Sequence, residues 1–403
     1  MTEFCVSETI KPTAILVHEP GEEVRLAVEN PEDWGTDPLL RGRKFDEWIE
    51  KGKEEHRKFV DVLKREGVSV KYLKDLLSEK PDECAEYLYR ELERVAPKVR
   101  KLDSDWQTSR KVLESTLSRI EVKNYDDAVS VIINGLEHFE EFRRLPYQTR
   151  LHIYRSFKTL MPQTSLFFIQ DPVQTSPKGF LKSKMAMWIR AQEPDITQIA
   201  LGEEKYIYKF KNPAEGGDMT MWDGNILFGV GAVAGTKCVT ELQRQEFLEK
   251  TGARKIILFY EPDLFDPSKK YVNGNLMHLD TIMTPVGDGY VLGNSTMLKE
   301  TVVQRPPQRK LSNAYDFIKR RAELVEVPDE EQSGAYGWGA NVIPLGDKKV
   351  LTSPHTPITN NNMRKAGFNV IETPSETLVT DYGHWHCMST YLSGLHAIAK
   401  ALY

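Results

Sequence analysis

Three times along the chain a strand pattern is followed by a helical one, a glycine and a second strand, and this repetition constrains the fold more than any other feature. Ala14–His18 reads as a strand, Lys53–Arg65 carries Phe59, Val62 and Leu63 at helical spacing, Gly67 stops that helix, and Val68–Leu73 alternates as a strand. The same order returns in Ile226–Gly229, Thr240–Lys250 and Ala253–Tyr260 with Gly252 at the helix end. It returns again, shorter, in Val350–Thr352, Asn360–Ala366 and Phe368–Glu372 with Gly367. A glycine there supplies the left-handed residue that closes a helix. Recurring strand, helix and strand predict an α/β fold assembled from repeated units.

Between about residues 77 and 160 the pattern changes. Cys84–Val95, Ser109–Ile120, Tyr125–Arg143 and Pro146–Thr159 each space apolar residues three and four apart, and their charged residues fit a solvated face. The expected organisation is a first unit over residues 1–77, a helical insertion over 78–160 and the remaining units over 161–403. The 403 residues are 40% hydrophobic and 28% charged with a net charge of -5, which describes a globular protein without the basic footprint of a nucleic-acid binder. The longest apolar runs, such as Lys255–Phe259, fall far short of the ~20 residues a bilayer span needs, so no membrane segment is expected. The start of the chain shows no leader pattern, and its four cysteines have no CxxC spacing, so reduced thiols and a cytoplasmic location are expected.

Chemistry begins with Cys387, in the run Gly383-His384-Trp385-His386-Cys387-Met388-Ser389. A small polar loop there, ahead of the helical pattern Thr390–Leu402, predicts a thiol that is reachable and able to ionise. Phe167-Phe168-Ile169-Gln170 reads as an apolar strand ending in Asp171, and Glu215-Gly216-Gly217-Asp218 sets two carboxylates around a diglycine. Met277-His278-Leu279-Asp280 puts His and Asp two apart, hence on one face of a strand. Taken singly, each suits a cap, a turn or a surface pair equally well. No Gly-Lys-Ser/Thr follows the diglycine, so it is not a phosphate loop. Together these residues are the parts needed to attack a planar cationic carbon: a thiolate nucleophile, a histidine to move protons and carboxylates to hold a delocalised cation. The target with that chemistry is a guanidinium. No metal or cofactor fingerprint stands out, and the chemistry needs neither.

On these segments the chain resembles the guanidine-modifying enzymes of the pentein superfamily, and arginine deiminase most of all. Ala14–Gly21, the Glu55–Phe59 helix, the helical insertion, Phe168–Asp171, Glu215–Asp218, Met277–Thr281 and His386–Ser389 follow one another in the family's order. The resemblance implies a five-bladed, pseudo-symmetric α/β propeller with an inserted helical subdomain and a central active site. It puts Cys387 on the nucleophile, His278 on the general acid and base, Glu215 on the acid beside that histidine, and Asp171 and Asp280 on the acids that grip the guanidinium. It implies a covalent thiouronium on Cys387, resolved by water in a deiminase or by an amine acceptor in an amidinotransferase. Glu at position 215, where the transferases usually have Asp, leans toward hydrolysis. A non-catalytic pentein scaffold is a third reading, and it gives these five residues no joint purpose.

The likeness breaks where arginine deiminases hold the substrate's carboxylate. Of that set only Arg190 fits; Ser165, Val233 and Tyr382 stand at the other positions, and Asp381–Trp385 replaces an Arg and three glycines. Each lost charge-assisted bond is worth about 1.5–3 kcal/mol, so free arginine should bind orders of magnitude more weakly. The expected partner is a small guanidino compound other than free L-arginine, or arginine in another pose. Asp218, Arg190, His384 and Trp385 join Asp171 and Asp280 as the expected binding residues, while Lys182 and Lys184 fit a surface role better. Trp385 suits a channel mouth and a core position equally, and Asn341 suits the site or an ordinary turn. By family analogy the helical insertion is a candidate interface for a homo-oligomer.

Overall fold

The structure, a computed structural model, describes residues 5–35, 40–99, 107–122, 127–261, 277–287, 289–308, 310–332, 337–381 and 383–394. Strand β1 (Pro12–Val17) ends in the fully buried run Ile15, Leu16 and Val17, which suits only an interior strand covered on both faces. The helix Phe45–Arg65 turns Phe59, Val60, Val62 and Leu63 inward, and Gly67 at φ +76° ends the excursion. That turn delivers β2 (Ser69–Tyr72) parallel to β1, from Ala14 opposite Ser69 to Val17 opposite Tyr72. On the other side of β1 lies β17 (Thr390–Gly394), antiparallel, so the first and last strands share a sheet.

The same arrangement recurs. In each sheet a middle strand pairs antiparallel with one neighbour and parallel with a strand that returns after a helical connection. In the second sheet β4 (Gly179–Lys182) lies between β3 (Val173–Ser176) and β5 (Tyr206–Lys209). In the third, β7 (Asn225–Val230) lies between β6 (Met219–Trp222) and β8 (Ile256–Tyr260). The hairpin β11 (Val302–Gln304) and β12 (Leu311–Asn313) extends that sheet beyond β8. In the fourth, β10 (Tyr290–Gly293) lies between β9 (Met283–Gly287) and β13 (Glu323–Glu326), and in the fifth β15 (Lys349–Thr352) lies between β14 (Ile343–Pro344) and β16 (Asn369–Glu372). Among the described residues the strands thus form five sheets of one plan, two more than the repeats legible in the sequence.

Between β2 and β3 the described residues are helical or irregular, with helices Pro81–Val99, Gln107–Val122, Ala128–Asn134 and Tyr147–Phe157. Cys84, Leu92, Val95, Leu113 and Ile132 form a core there that is continuous with Leu16 and Val173 of the sheets. A second core gathers Ile15, Phe59, Phe228, Leu351, Trp385 and Cys387 from several sheets. No helix among the described residues is long and apolar enough to cross a membrane.

Three local expectations are corrected. Phe167–Gln170 is a run of turns, with the strand beginning only after Asp171, at Val173. His278 precedes a one-turn helix, Leu279–Ile282, instead of lying on a strand. Thr390–Gly394 is a strand held by β1, and the rest of the expected terminal helix lies outside the described residues.

Candidate active site

Close approach of three loops builds the site. The amide of Gly216 donates to the Asp171 carbonyl at 2.8 Å, and the amide of Gln170 donates to the Cys387 carbonyl at 3.1 Å. A Cβ on Gly216 would lie 1.8 Å from the Gln170 carbonyl oxygen, and one on Gly217 would lie 2.4 Å from His278 Nδ1. The diglycine is therefore a contact surface for the Asp171 loop and the His278 ring, which explains it better than a flexible turn does.

His278 sits between two acids, with Nε2 3.3 Å from Glu215 Oε2 and Nδ1 3.6 Å from Asp171 Oδ1. Burial alone would favour the neutral ring, but Asp171, Glu215 and Asp218 outweigh it and hold the imidazole's pKa up at about 10. Glu215 is fixed through Oε1 by the Ala186 amide at 2.8 Å. Burial opposes its charge, and His278 overcomes that, leaving the carboxyl below its ordinary range. Asp218 lies behind it, accepting the Glu215 amide at 2.9 Å, and burial raises its carboxyl well above the usual value.

Cys387 is buried, at 5% exposure, which corrects the expectation of an open loop. Burial, then Asp280 and Asp171, hold its thiol well above the ordinary range, so the resting thiol is protonated at neutral pH. Asn341 grips the cysteine twice: its Nδ2 donates to Sγ at 3.1 Å and its Oδ1 accepts the Cys387 amide at 3.2 Å. Sγ lies 3.7 Å from Asp280 Oδ2, and the same oxygen is 2.8 Å from His386 Nδ1. Asp171 Oδ1 and Asp280 Oδ1 are both buried without a hydrogen-bond partner.

Arg190 is saturated from within. Its Nη1 donates to Asp171 at 2.7 Å, Nε to both Glu193 oxygens at 3.1 Å, and Nη2 to Glu193 at 2.8 Å and to the Phe168 and Ser165 carbonyls at 3.2 and 3.4 Å. It braces Asp171 and has little left for a substrate carboxylate. Lys182 pairs with Asp195 and Gln198, and Lys184 is exposed. Trp385 is fully buried and stacked on Phe59, centroids 4.5 Å apart and planes 7° apart, so it is a core residue and not a channel-mouth ligand. His384 is likewise buried, neither ring nitrogen has a hydrogen-bond partner, and burial takes its pKa down to about 3. Val233 is partly exposed, Ser165 is buried, and Tyr382 lies outside the described residues. Ligand atoms of Asp171, Glu215 and His278 lie within 4.8 Å of one another, close enough to share a cation. The charged His278 and Arg190 already face the two acids, Arg190 with Nη1 2.7 Å from Asp171 and 3.9 Å from Glu215.

Sequence reasoning missed Glu8 and Glu193 and left Asn341 open. Glu8 carries no local signal, since its partner His386 lies at the far end of the chain, with Nε2 3.1 Å from Glu8 Oε2.

The sequence profile of the arginine deiminase family matches residues 45–393. The chain is similar to the arginine deiminase of Borreliella afzelii, 22% identical over 430 residues with 95% of each chain covered. It is 23% identical over 427 residues to that of Latilactobacillus sakei subsp. sakei, covering 95% of this chain and 96% of the relative. Its fold is similar to that of a dimethylarginine dimethylaminohydrolase from Pseudomonas aeruginosa complexed with citrulline (TM-score 0.53, 12% identity, 94% of this chain and 99% of that one). It is also similar to the N-terminal domain of ArgZ, a cyanobacterial arginine dihydrolase bound to substrate (TM-score 0.54, 12% identity, 94% and 98%). The profile spans most of the chain and the expected thiol, histidine and acids meet in one buried place: this protein belongs to the arginine deiminase family.

Proposed function

We propose that this protein is a cysteine-dependent hydrolase of guanidine C–N bonds, working through a thiouronium on Cys387, and that its five sheets are blades of a pentein propeller around that residue. One observation carries the reading: two buried carboxylate oxygens, Asp171 Oδ1 and Asp280 Oδ1, lack hydrogen-bond partners in the site that holds a thiol. A buried acceptor left unpaired costs about 1–3 kcal/mol, and a guanidinium brings N–H donors and a positive charge for both.

That charge also prepares the nucleophile. Burial, and then Asp280 and Asp171, keep the Cys387 thiol protonated at rest, so a bound cation lowers the cost of the thiolate. Asp280 Oδ2, 3.7 Å from Sγ, is placed to relay the thiol proton to solvent, after which Asp280 is again a carboxylate that holds the guanidinium. The thiolate adds to the guanidinium carbon, and a C=N electron pair moves onto nitrogen to give a neutral tetrahedral adduct. His278, charged in its cluster of acids, protonates the departing nitrogen, which leaves as ammonia. The now neutral His278 takes a proton from water as it adds to the thiouronium. The adduct's C–S bond then breaks as its hydroxyl proton passes to the departing sulfur, which leaves the neutral urea product and restores the Cys387 thiol.

Because Arg190 is spent on Asp171 and Glu193, the substrate is a guanidino compound not held through a carboxylate at Arg190. The four free cysteines suit a reducing cytoplasm. A panel of arginine, agmatine, guanidinobutyrate and methylated arginines, with ammonia and free amine measured separately, tests the reading. Ammonia release supports it. Turnover only with an added amine acceptor establishes amidino transfer instead, and efficient conversion of L-arginine at low KM overturns the specificity.

A further inference from the structure

Behind Asp280 lies a buried unit that the steps above leave unused. His386 Nδ1 is 2.8 Å from Asp280 Oδ2, and Nε2 is 3.1 Å from Glu8 Oε2. Glu8 comes from the segment ahead of β1. Its own amide donates to the Met221 carbonyl at 2.9 Å, and its Oε1 accepts from Gln174 Nε2 and the Met221 amide, both at 3.1 Å. Those bonds anchor the segment by themselves, so Oε2 serves the imidazole alone. A ring facing a carboxylate on each side donates from both nitrogens and is therefore a cation.

We propose that Glu8 and His386 are positioning residues of the reaction: the imidazolium held by Glu8 fixes the Asp280 carboxylate so that Oδ2 faces Cys387 and Oδ1 is presented to the substrate guanidinium. The assignment rests on the guanidine reading. It follows from the division of the two oxygens, since Oδ2 is held by His386 while Oδ1 is buried without a partner. A carboxylate torsion is soft and nearly two-fold, so without a fixed donor either oxygen would turn toward the thiol. The imidazolium also offsets the Asp280 charge that opposes ionisation of Cys387. The groups facing His386 are Asp280, Glu8 and the Tyr391 ring, centroid 6.4 Å away, with the Cys5 thiol beside Glu8 and the Cys387 thiol beside Asp280.

Glu8→Gln separates anchoring from charge. Its amide oxygen keeps the bonds to Gln174 and Met221, and its NH2 donates to a neutral His386, which still donates to Asp280. The ring's positive charge is lost together with the Glu8 carboxylate's negative one, and of the two the ring is the charge that touches Asp280. The probe is alkylation of Cys387 by 2-chloroacetamidine from pH 5 to 10. The pH of half-maximal labelling should rise by about one unit, with about tenfold slower labelling at pH 7. Glu8→Asp, which keeps the charge, should recover much of that loss. In the double variant Glu8→Gln/His386→Asn, labelling should be no slower than in His386→Asn alone, because Glu8 acts through the ring. An unchanged profile in Glu8→Gln, or additive losses in the double variant, overturns the proposal. His386→Gln, which leaves the anchor intact, carries the same test if Glu8→Gln does not fold. A wild-type protein that the amidine does not label fails the guanidine reading itself, a result distinct from a labelled wild type with indifferent variants.

Discussion

Replacing Arg190 with methionine separates a brace from a ligand. The guanidinium holds Asp171 at 2.7 Å and Glu193 at 2.8 Å, with the three side chains 9%, 5% and 0% exposed. Methionine fills similar space and leaves both acids buried without their cation. Burial already pushes Glu193 up to about 7 despite Arg190, from an ordinary 4.5, so without the arginine the carboxyl stays neutral at pH 7. A carboxyl that is neutral when folded and charged when unfolded costs about 1.4 kcal/mol per pH unit above its unfolded pKa. The native Glu193 already carries part of that cost, so the loss on removing Arg190 is that of a broken buried pair, about 3–5 kcal/mol, and it should be larger at pH 7 than at pH 5.5, where the carboxyls left behind protonate more readily. Urea unfolding of Arg190→Met at the two pH values measures it, and Arg190→Met/Glu193→Met should recover most of the loss. The reasoning is refuted if Arg190→Met loses less than about 1 kcal/mol at pH 7 while KM rises only for carboxylate-bearing guanidines.

Asn341→Ala removes both grips on Cys387, and with a charged thiolate at stake, amidine labelling should slow by about ten- to a hundredfold while the fold persists. Gly217→Ala drives a methyl into the His278 ring, 2.4 Å from Nδ1, and turnover should fall on the order of a hundredfold, read as kcat on the best substrate of the guanidine panel. His56 and His384 are both buried neutral with pKa values lowered to about 3 from 6.5. Between those values the unfolded chain binds more protons than the native one, so stability is full above pH 6.5 and falls as pH drops toward 3. Each should contribute about 1.4 kcal/mol per unit, and His56→Leu should flatten the slope of unfolding free energy by that amount.

The fold was legible where glycine ended a helix and a strand followed, because that punctuation needs no distant partner: Gly67, Gly252 and Gly367 all take positive φ. The second and fourth sheets escaped although their strands are no shorter than β2, β15 and β16; in the fourth, the hairpin β11–β12 comes between β10 and its parallel partner β13 and breaks the order of strand, helix, glycine and strand. Phe167–Gln170 looked like a strand because a buried apolar run of that length fits a turn packed in a core equally well. Thr390–Gly394 carries an ambiguous pattern until β1 claims it. In the site, the order of Asp171, Glu215, His278, Asp280 and Cys387 was readable, but burial was not. Two histidines and a glycine beside a cysteine read as an open loop, whereas His384, His386 and Trp385 all lie inside. Glu8 could be found only through the fold, since a lone acid near the start of a chain announces nothing.

The central claim is that Cys387 attacks a cation held by Asp171 and Asp280. Its most direct test compares labelling by cationic 2-chloroacetamidine and neutral 2-chloroacetamide, with the modified cysteine located by peptide mass spectrometry. The account predicts that the amidine modifies Cys387 far faster than the amide, and that Asp171→Asn or Asp280→Asn removes the preference. Equal rates for the two reagents, or modification of Cys5, Cys84 or Cys238 in place of Cys387, would contradict it.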